Sequence, residues 1–228
     1  SGINNFSIDL IYGIPGQTLD SWKRTVSKAV ELSPAHISSY ELTPEKDTPL
    51  YRLIQSGEVK MPDEDLVLSM YDYAIDHLTS KGYEHYEISN FALPRFRCLH
   101  NLNYWDRGEY IGAGAGAHSF IRGFRSKNTD DIRRYIKDLN KGIIPEAEST
   151  EIKRDDAIKE FIFLGLRKTE GISLAKAKEF GLDLPGVCRE LIEDGHLEME
   201  GDYLRLTRKG LVVSNSVIVR LFEGLGLD

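Results

Sequence analysis

Phe6-Ser7-Ile8-Asp9-Leu10-Ile11-Tyr12-Gly13-Ile14-Pro15-Gly16-Gln17-Thr18 is the stretch from which the fold can be read. Phe6, Ile8 and Leu10 alternate with Ser7 and Asp9, the period of a strand with one apolar face. Gly13-Ile14-Pro15-Gly16 ends that alternation as a tight turn, and Thr18 offers a hydroxyl as a helix N-cap. Trp22, Val26, Ala29 and Val30 then recur at helical spacing until Ser33-Pro34, and a second strand is expected over 36–42. Strand, helix and strand in this order form the repeating unit of parallel α/β architecture.

Working outward, Pro44, Pro49 and Gly57 mark an irregular connection over 42–60. Asp63-Glu64-Asp65 supply negative charge to the start of the next helix, whose buried face is Leu66, Val67, Met70, Tyr71, Ala74, Ile75 and Leu78. Lys81-Gly82 closes it, and 83–88 is a third strand, giving three parallel strands. Their first edge would be open and apolar unless another element covers it. Ser7 and Asp9, with His85 and Glu87, lie on the less apolar strand faces, which in a barrel would be the interior. Such groups require partners, supplied either by a ligand or by an internal hydrogen-bond network.

Residues 89–127 show little helical periodicity. They hold Cys98-Leu99-His100-Asn101-Leu102-Asn103-Tyr104-Trp105, followed by Gly112, Gly114 and Gly116 at alternate positions. Glycine at this spacing bares one face of the chain, so that a flat ligand or another backbone can approach. The spacing does not match a dinucleotide fingerprint, and 112–119 reads as a close-packed strand or loop lining a cavity. His100 can ligate heme iron, and Tyr104 and Trp105 offer flat apolar faces; the alternative is a structural histidine beside buried aromatics. Gln17, beside the carboxyl end of the first strand, either meets a polar ligand or is simply solvated in its turn.

A helix is expected over 130–140 and a linker over 143–150. Three short helices (155–168, 173–180, 185–194), a hairpin turning at Gly201-Asp202 and a last helix over 211–222 make a winged-helix-like pattern. The 228 residues carry a net charge of −7, and 151–228 hold twelve Lys and Arg against fifteen Asp and Glu. That balance argues against nucleic acid as a partner, because phosphate binding needs clustered positive charge. A winged-helix interaction or DNA-binding module with an accessory α/β segment is the alternative reading. No run of 18 apolar residues is present, so no membrane span is expected. Two cysteines far apart read as reduced thiols in a cytoplasmic protein.

Five segments occur together and in one order: 9–18, Ser39-Tyr40-Glu41-Leu42-Thr43, 86–92, 100–105 and 112–119. In this combination the chain resembles the oxygen-independent coproporphyrinogen III oxidase family of radical S-adenosylmethionine proteins, heme-chaperone branch. The resemblance implies a partial parallel (β/α) barrel over 1–148 and a winged-helix-like α+β domain over 149–228. It implies S-adenosylmethionine and a [4Fe–4S] cluster as cofactors of the parent protein, heme or porphyrin as ligand, and a heme-receiving protein as a further partner. Gln17 matches a position contacting S-adenosylmethionine, Lys28 falls near a basic residue for its carboxylate, and Ala92 matches a position against the adenosyl group. The His-Asn-x-x-Tyr-Trp motif carries the heme contact, His100, with Asn101, Tyr104 and Trp105 around it. The family's Cys-x-x-x-Cys-x-x-Cys motif is missing from this sequence. The expectation is therefore a C-terminal fragment that begins at Ser1, without iron–sulfur ligands or radical chemistry of its own.

Overall fold

The computed structural model describes residues 2–3 and 5–227. The chain forms two compact units, one ending at Cys98 and one beginning at Leu99. The boundary expected from sequence lies near 148; by packing, residues 99–148 go with the C-terminal helices.

The first unit runs β1 (Ser7–Tyr12), α1 (Leu19–Glu31), β2 (His36–Glu41), α2 (Pro49–Gln55), α3 (Glu64–Ser80), β3 (Glu84–Glu87) and β4 (Asn90–Ala92). β1 and β2 are parallel, with Ser7 opposite His36 and Tyr12 opposite Glu41. Thr18 and Ser21 exchange side-chain and backbone bonds in a capping box that starts α1. The Asp63 carboxylate accepts the Leu66 N–H at 2.8 Å to start α3. Trp22 and Val26 of α1 and Met70, Ala74 and Leu78 of α3 are fully buried. Val26, Met70 and Leu78 each contribute about 1.5–3 kcal/mol by leaving water. Trp22 Nε1 also donates to the Met70 carbonyl at 2.8 Å, tying the two helices together.

Three adjacent parallel strands do not form. The sheet order is β1-β2-β4-β3, with β4 antiparallel to both of its neighbours. The chain reverses at Ile88-Ser89 instead of continuing as strand. Glu87 Oε1 accepts the Ser89 N–H at 2.8 Å, and Tyr71 Oη donates to the Ile88 carbonyl at 3.0 Å. A register shift between His85 and Glu87 also breaks the expected alternation. His85 stacks on Phe91 and meets Tyr71 of α3 edge-on, so it joins the helix-packed face.

The second unit runs α4 (Leu99–Trp105), β5 (His118–Ile121), β6 (Phe124–Asn128), α5 (Ile132–Leu139), β7 (Glu146–Glu151), α6 (Arg154–Gly165), β8 (Ile172–Ser173), α7 (Leu174–Glu179), α8 (Leu184–Val187), α9 (Arg189–Glu193), β9 (Leu197–Glu200), β10 (Tyr203–Leu206), α10 (Arg208–Val212) and α11 (Ser214–Gly224). The linker expected over 143–150 is mostly β7, paired with β6 in the antiparallel sheet β5-β6-β7. Its six side chains are all exposed, so backbone pairing holds it and no apolar alternation announces it. The hairpin β9–β10 forms as expected, with Gly201 at φ 56° in its turn. The helices expected over 185–194 and 211–222 each divide in two, at Cys188 and at Val213, which leave helical geometry. Ile162, Leu166, Leu184, Leu204 and Leu221 form the centre of this core. No described helix is long and apolar enough to cross a membrane.

Candidate functional site

The carboxyl end of β1 leads into the turn that carries Gln17. Gly13 and Gly16 adopt φ values of 74° and 75°, which a side chain would strain. Gln17 Oε1 accepts the Ile14 N–H at 3.3 Å, and the Gln17 N–H donates to the Ile14 carbonyl. The side chain thus braces its own turn while keeping its amide NH₂ as a donor. Lys28 and Ala92 are not brought to Gln17. Lys28 is exposed in the last turn of α1, about 14 Å along the axis from Leu19. Ala92 is buried opposite His36, which pairs with Ser7, at the other end of the sheet, about 16 Å along β1 from Tyr12.

The polar strand face holds an internal network. Ser7 Oγ lies 3.0 Å from His36 Nδ1, His36 Nε2 lies 2.8 Å from Tyr86 Oη, and that hydroxyl accepts the Cys98 N–H at 3.3 Å. Burial lowers the His36 pKa, partly opposed by Asp9, and burial pushes Tyr86 up to about 12. Both groups are therefore neutral near pH 7. Of the four residues assigned to this face, Ser7 belongs to the network, His85 does not, and His36 and Tyr86 replace it.

The His-Asn-x-x-Tyr-Trp segment is helical, forming α4, where periodicity had suggested none. At helical spacing His100 and Tyr104 share a face, and their rings meet edge-on with centroids 4.7 Å apart. His100 is exposed and its imidazole makes no hydrogen bond among the described residues; Asn101 is half-buried beside it. Tyr104 continues into Tyr110 at 4.6 Å, and Tyr110 into Phe120 at 6.4 Å. Trp105 lies under the Arg167 guanidinium at 4.5 Å, and its buried Nε1–H meets no acceptor.

Tyr104 and Trp105 open into a pocket of about 360 Å³ in the second unit. The size falls within the range of small-molecule sites. Its remaining wall includes Arg107, Phe120, Arg125, Glu160, Phe163 and Leu164. Glu160 of α6 accepts from Arg107 Nε at 2.8 Å and from Arg125 Nη1 at 2.6 Å. Burial alone would raise the Glu160 pKa, but the two guanidinium hydrogen bonds and charges outweigh it and hold the carboxyl below its ordinary value. Both guanidiniums also sit 5.3 Å from the Phe120 ring centroid. These residues escaped the sequence reading because Glu160 lies 53 and 35 positions from its partners, with no local pattern to join them.

The glycine-rich loop does not line this pocket. A Cβ on Gly112 would collide with the His118 carbonyl, and Asn128 Nδ2 donates to the carbonyls of Gly112 and Gly114 at 3.1 and 2.9 Å. At Gly112 another backbone makes the close approach, at Gly116 the Asp130 carboxylate does, and Gly114 has open space around it. Iron–sulfur ligation finds no fit among the described residues. No group of three potential metal ligands occurs, and Cys188 is buried, its thiol pushed up to about 12 by burial first and by Asp183 second.

Residues 152–213 match the family described as the HemN C-terminal domain. The chain is similar to heme chaperone HemW of Bacillus subtilis, 35% identical over 221 residues, covering 95% of this chain and 58% of that protein. It is 36% identical over 239 residues to heme chaperone HemW of Lactococcus lactis, covering all of this chain and 60% of that protein. The chain thus spans about three-fifths of the length of these relatives. Its structure aligns with that of Escherichia coli coproporphyrinogen III oxidase (HemN), a radical SAM enzyme, at a TM-score of 0.71 and 20% identity, over 94% of this chain and 54% of that one.

Proposed function

We infer that this chain, a homologue of the HemW heme chaperones with the α/β fold of the corresponding part of HemN, supplies the heme-contact portion of a heme chaperone. His100 is the iron ligand, and Tyr104, Trp105 and Asn101 form its surroundings. The single observation carrying this reading is the geometry of α4. An exposed imidazole, without a hydrogen bond among the described residues, stands edge-on to Tyr104, at the start of an aromatic series leading into a pocket. A histidine with a merely structural role would be bonded or buried, as His36 is.

The first unit is read as part of a radical SAM barrel and 149–228 as a winged-helix-like domain. The order of strands, helices and the β9–β10 hairpin supports this reading. Gln17 remains the candidate contact for S-adenosylmethionine, through the amide NH₂ beside the carboxyl end of β1. The two cysteines, one of them buried, do not suit the thiolate ligation of a [4Fe–4S] cluster. Heme, when bound, supplies an open iron coordination position. The chain's part is to ligate it through an imidazole and cover its face with apolar rings. A heme-receiving protein is the expected partner, and the cytoplasm the expected compartment.

Titration of the 228-residue chain with hemin tests the reading. A Soret shift typical of imidazole ligation is expected, lost in His100→Ala. A shift unchanged by that substitution would remove His100 from the account.

A further inference from the structure

The pocket behind α4 has a charge pattern that an apolar ligand alone does not explain. Two guanidiniums, Arg107 and Arg125, face a single carboxylate, Glu160, leaving one net positive charge in a wall otherwise built of Tyr104, Trp105, Phe120 and Phe163. The Arg107 side chain is only 17% exposed and that of Glu160 19%. A half-buried surplus cation is costly to keep unpaired. Each guanidinium gives Glu160 a single nitrogen, so each retains donors out of its five N–H groups for a second anion. Arg125 Nε and Trp105 Nε1 are moreover buried and meet no acceptor. Arg167 stacks on the ring of Trp105, and Lys168 pairs with Asp106 at 2.5 Å.

We propose that this pocket receives a carboxylate arm of the planar tetrapyrrole ligated by His100, with Arg107 and Arg125 as the carboxylate-binding residues. The proposal rests on the heme-contact reading of α4 and adds to it the acid that fixes the ligand's orientation. The series His100, Tyr104, Tyr110, Phe120 joins the iron ligand to the two guanidiniums by successive ring contacts. The flat body of the ligand lies along the rings and its acidic edge meets the arginines. Glu160 then acts as a placeholder that holds both guanidiniums in position and moderates their attraction for the ligand.

The test compares hemin with hemin dimethyl ester, in which both carboxylates are masked, on the full chain by Soret titration at low and high salt. Hemin is expected to bind at least about tenfold more tightly, a factor equivalent to about 1.4 kcal/mol. That preference should shrink at high salt and vanish in Arg107→Gln/Arg125→Gln/Glu160→Gln, which removes the charges together and leaves none unpaired. Glu160→Gln alone should tighten hemin binding severalfold and leave ester binding unchanged. Equal binding of acid and ester, both with the imidazole-type Soret band, would overturn the proposal and leave the His100 reading standing. A preference for the acid that survives the triple substitution would place the carboxylate elsewhere and overturn it too. Absence of any Soret change would overturn both.

Discussion

Replacing Glu160 by Gln removes the one negative charge between Arg107 and Arg125 while keeping the shape of the side chain. In the wild type each guanidinium makes a charge-assisted bond to it, at 2.8 and 2.6 Å. Such bonds contribute about 1.5–3 kcal/mol each when buried. The Arg125 side chain is 36% exposed, which weakens its share, and Gln still accepts one N–H. The two guanidiniums, both against Phe120, would also repel one another. Together these terms give a loss of about 2 kcal/mol. With a urea m-value of about 2 kcal/mol/M, the midpoint of unfolding should fall by about 1 M. Circular dichroism through a urea series measures this at pH 7. The pH dependence supplies the sign. The folded-state pKa of Glu160 is depressed, so its contribution is fully present above the ordinary carboxylate value and is lost as pH falls through the lowered one. Wild type and variant should therefore converge under strongly acidic conditions. A midpoint shift under about 0.2 M at pH 7, or a difference that persists undiminished in acid, would refute the electrostatic account.

The remaining predictions concern packing and thiol access. Trp22→Ala empties a fully buried site and removes the bond to the Met70 carbonyl; a loss of about 3–5 kcal/mol is expected in thermal or urea unfolding. Gly112→Ala drives a methyl group into the His118 carbonyl, so the second unit should lose at least about 1 kcal/mol, whereas Gly123→Ala, a positive-φ turn glycine with open space around it, should show only its backbone strain. A thiol reagent at pH 8 should modify Cys98 quickly and Cys188 only after unfolding, because Cys188 is buried and its thiolate is disfavoured; rapid modification of both in the folded chain would contradict this.

The sequence determined those elements whose signal is local. Alternating residues over 6–12, the capping hydroxyl of Thr18, the acidic start at Asp63 and the turn at Gly201-Asp202 each specify a structure within a few positions, and each forms as read. The His-Asn-x-x-Tyr-Trp motif is likewise local, and it marks residues of the proposed site within six positions. Tertiary structure alone decided where β4 inserts, because strand order depends on the reversal at Ile88-Ser89 and on Tyr71, seventeen residues from Ile88. It turned the exposed stretch 146–151 into a strand through backbone bonds that leave no side-chain period. It also set Lys28 and Ala92 away from Gln17, since distance along a helix or a sheet is not distance along the chain. Above all it assembled Arg107, Arg125 and Glu160 into one wall, a grouping of charges fixed by folding and visible in no single segment.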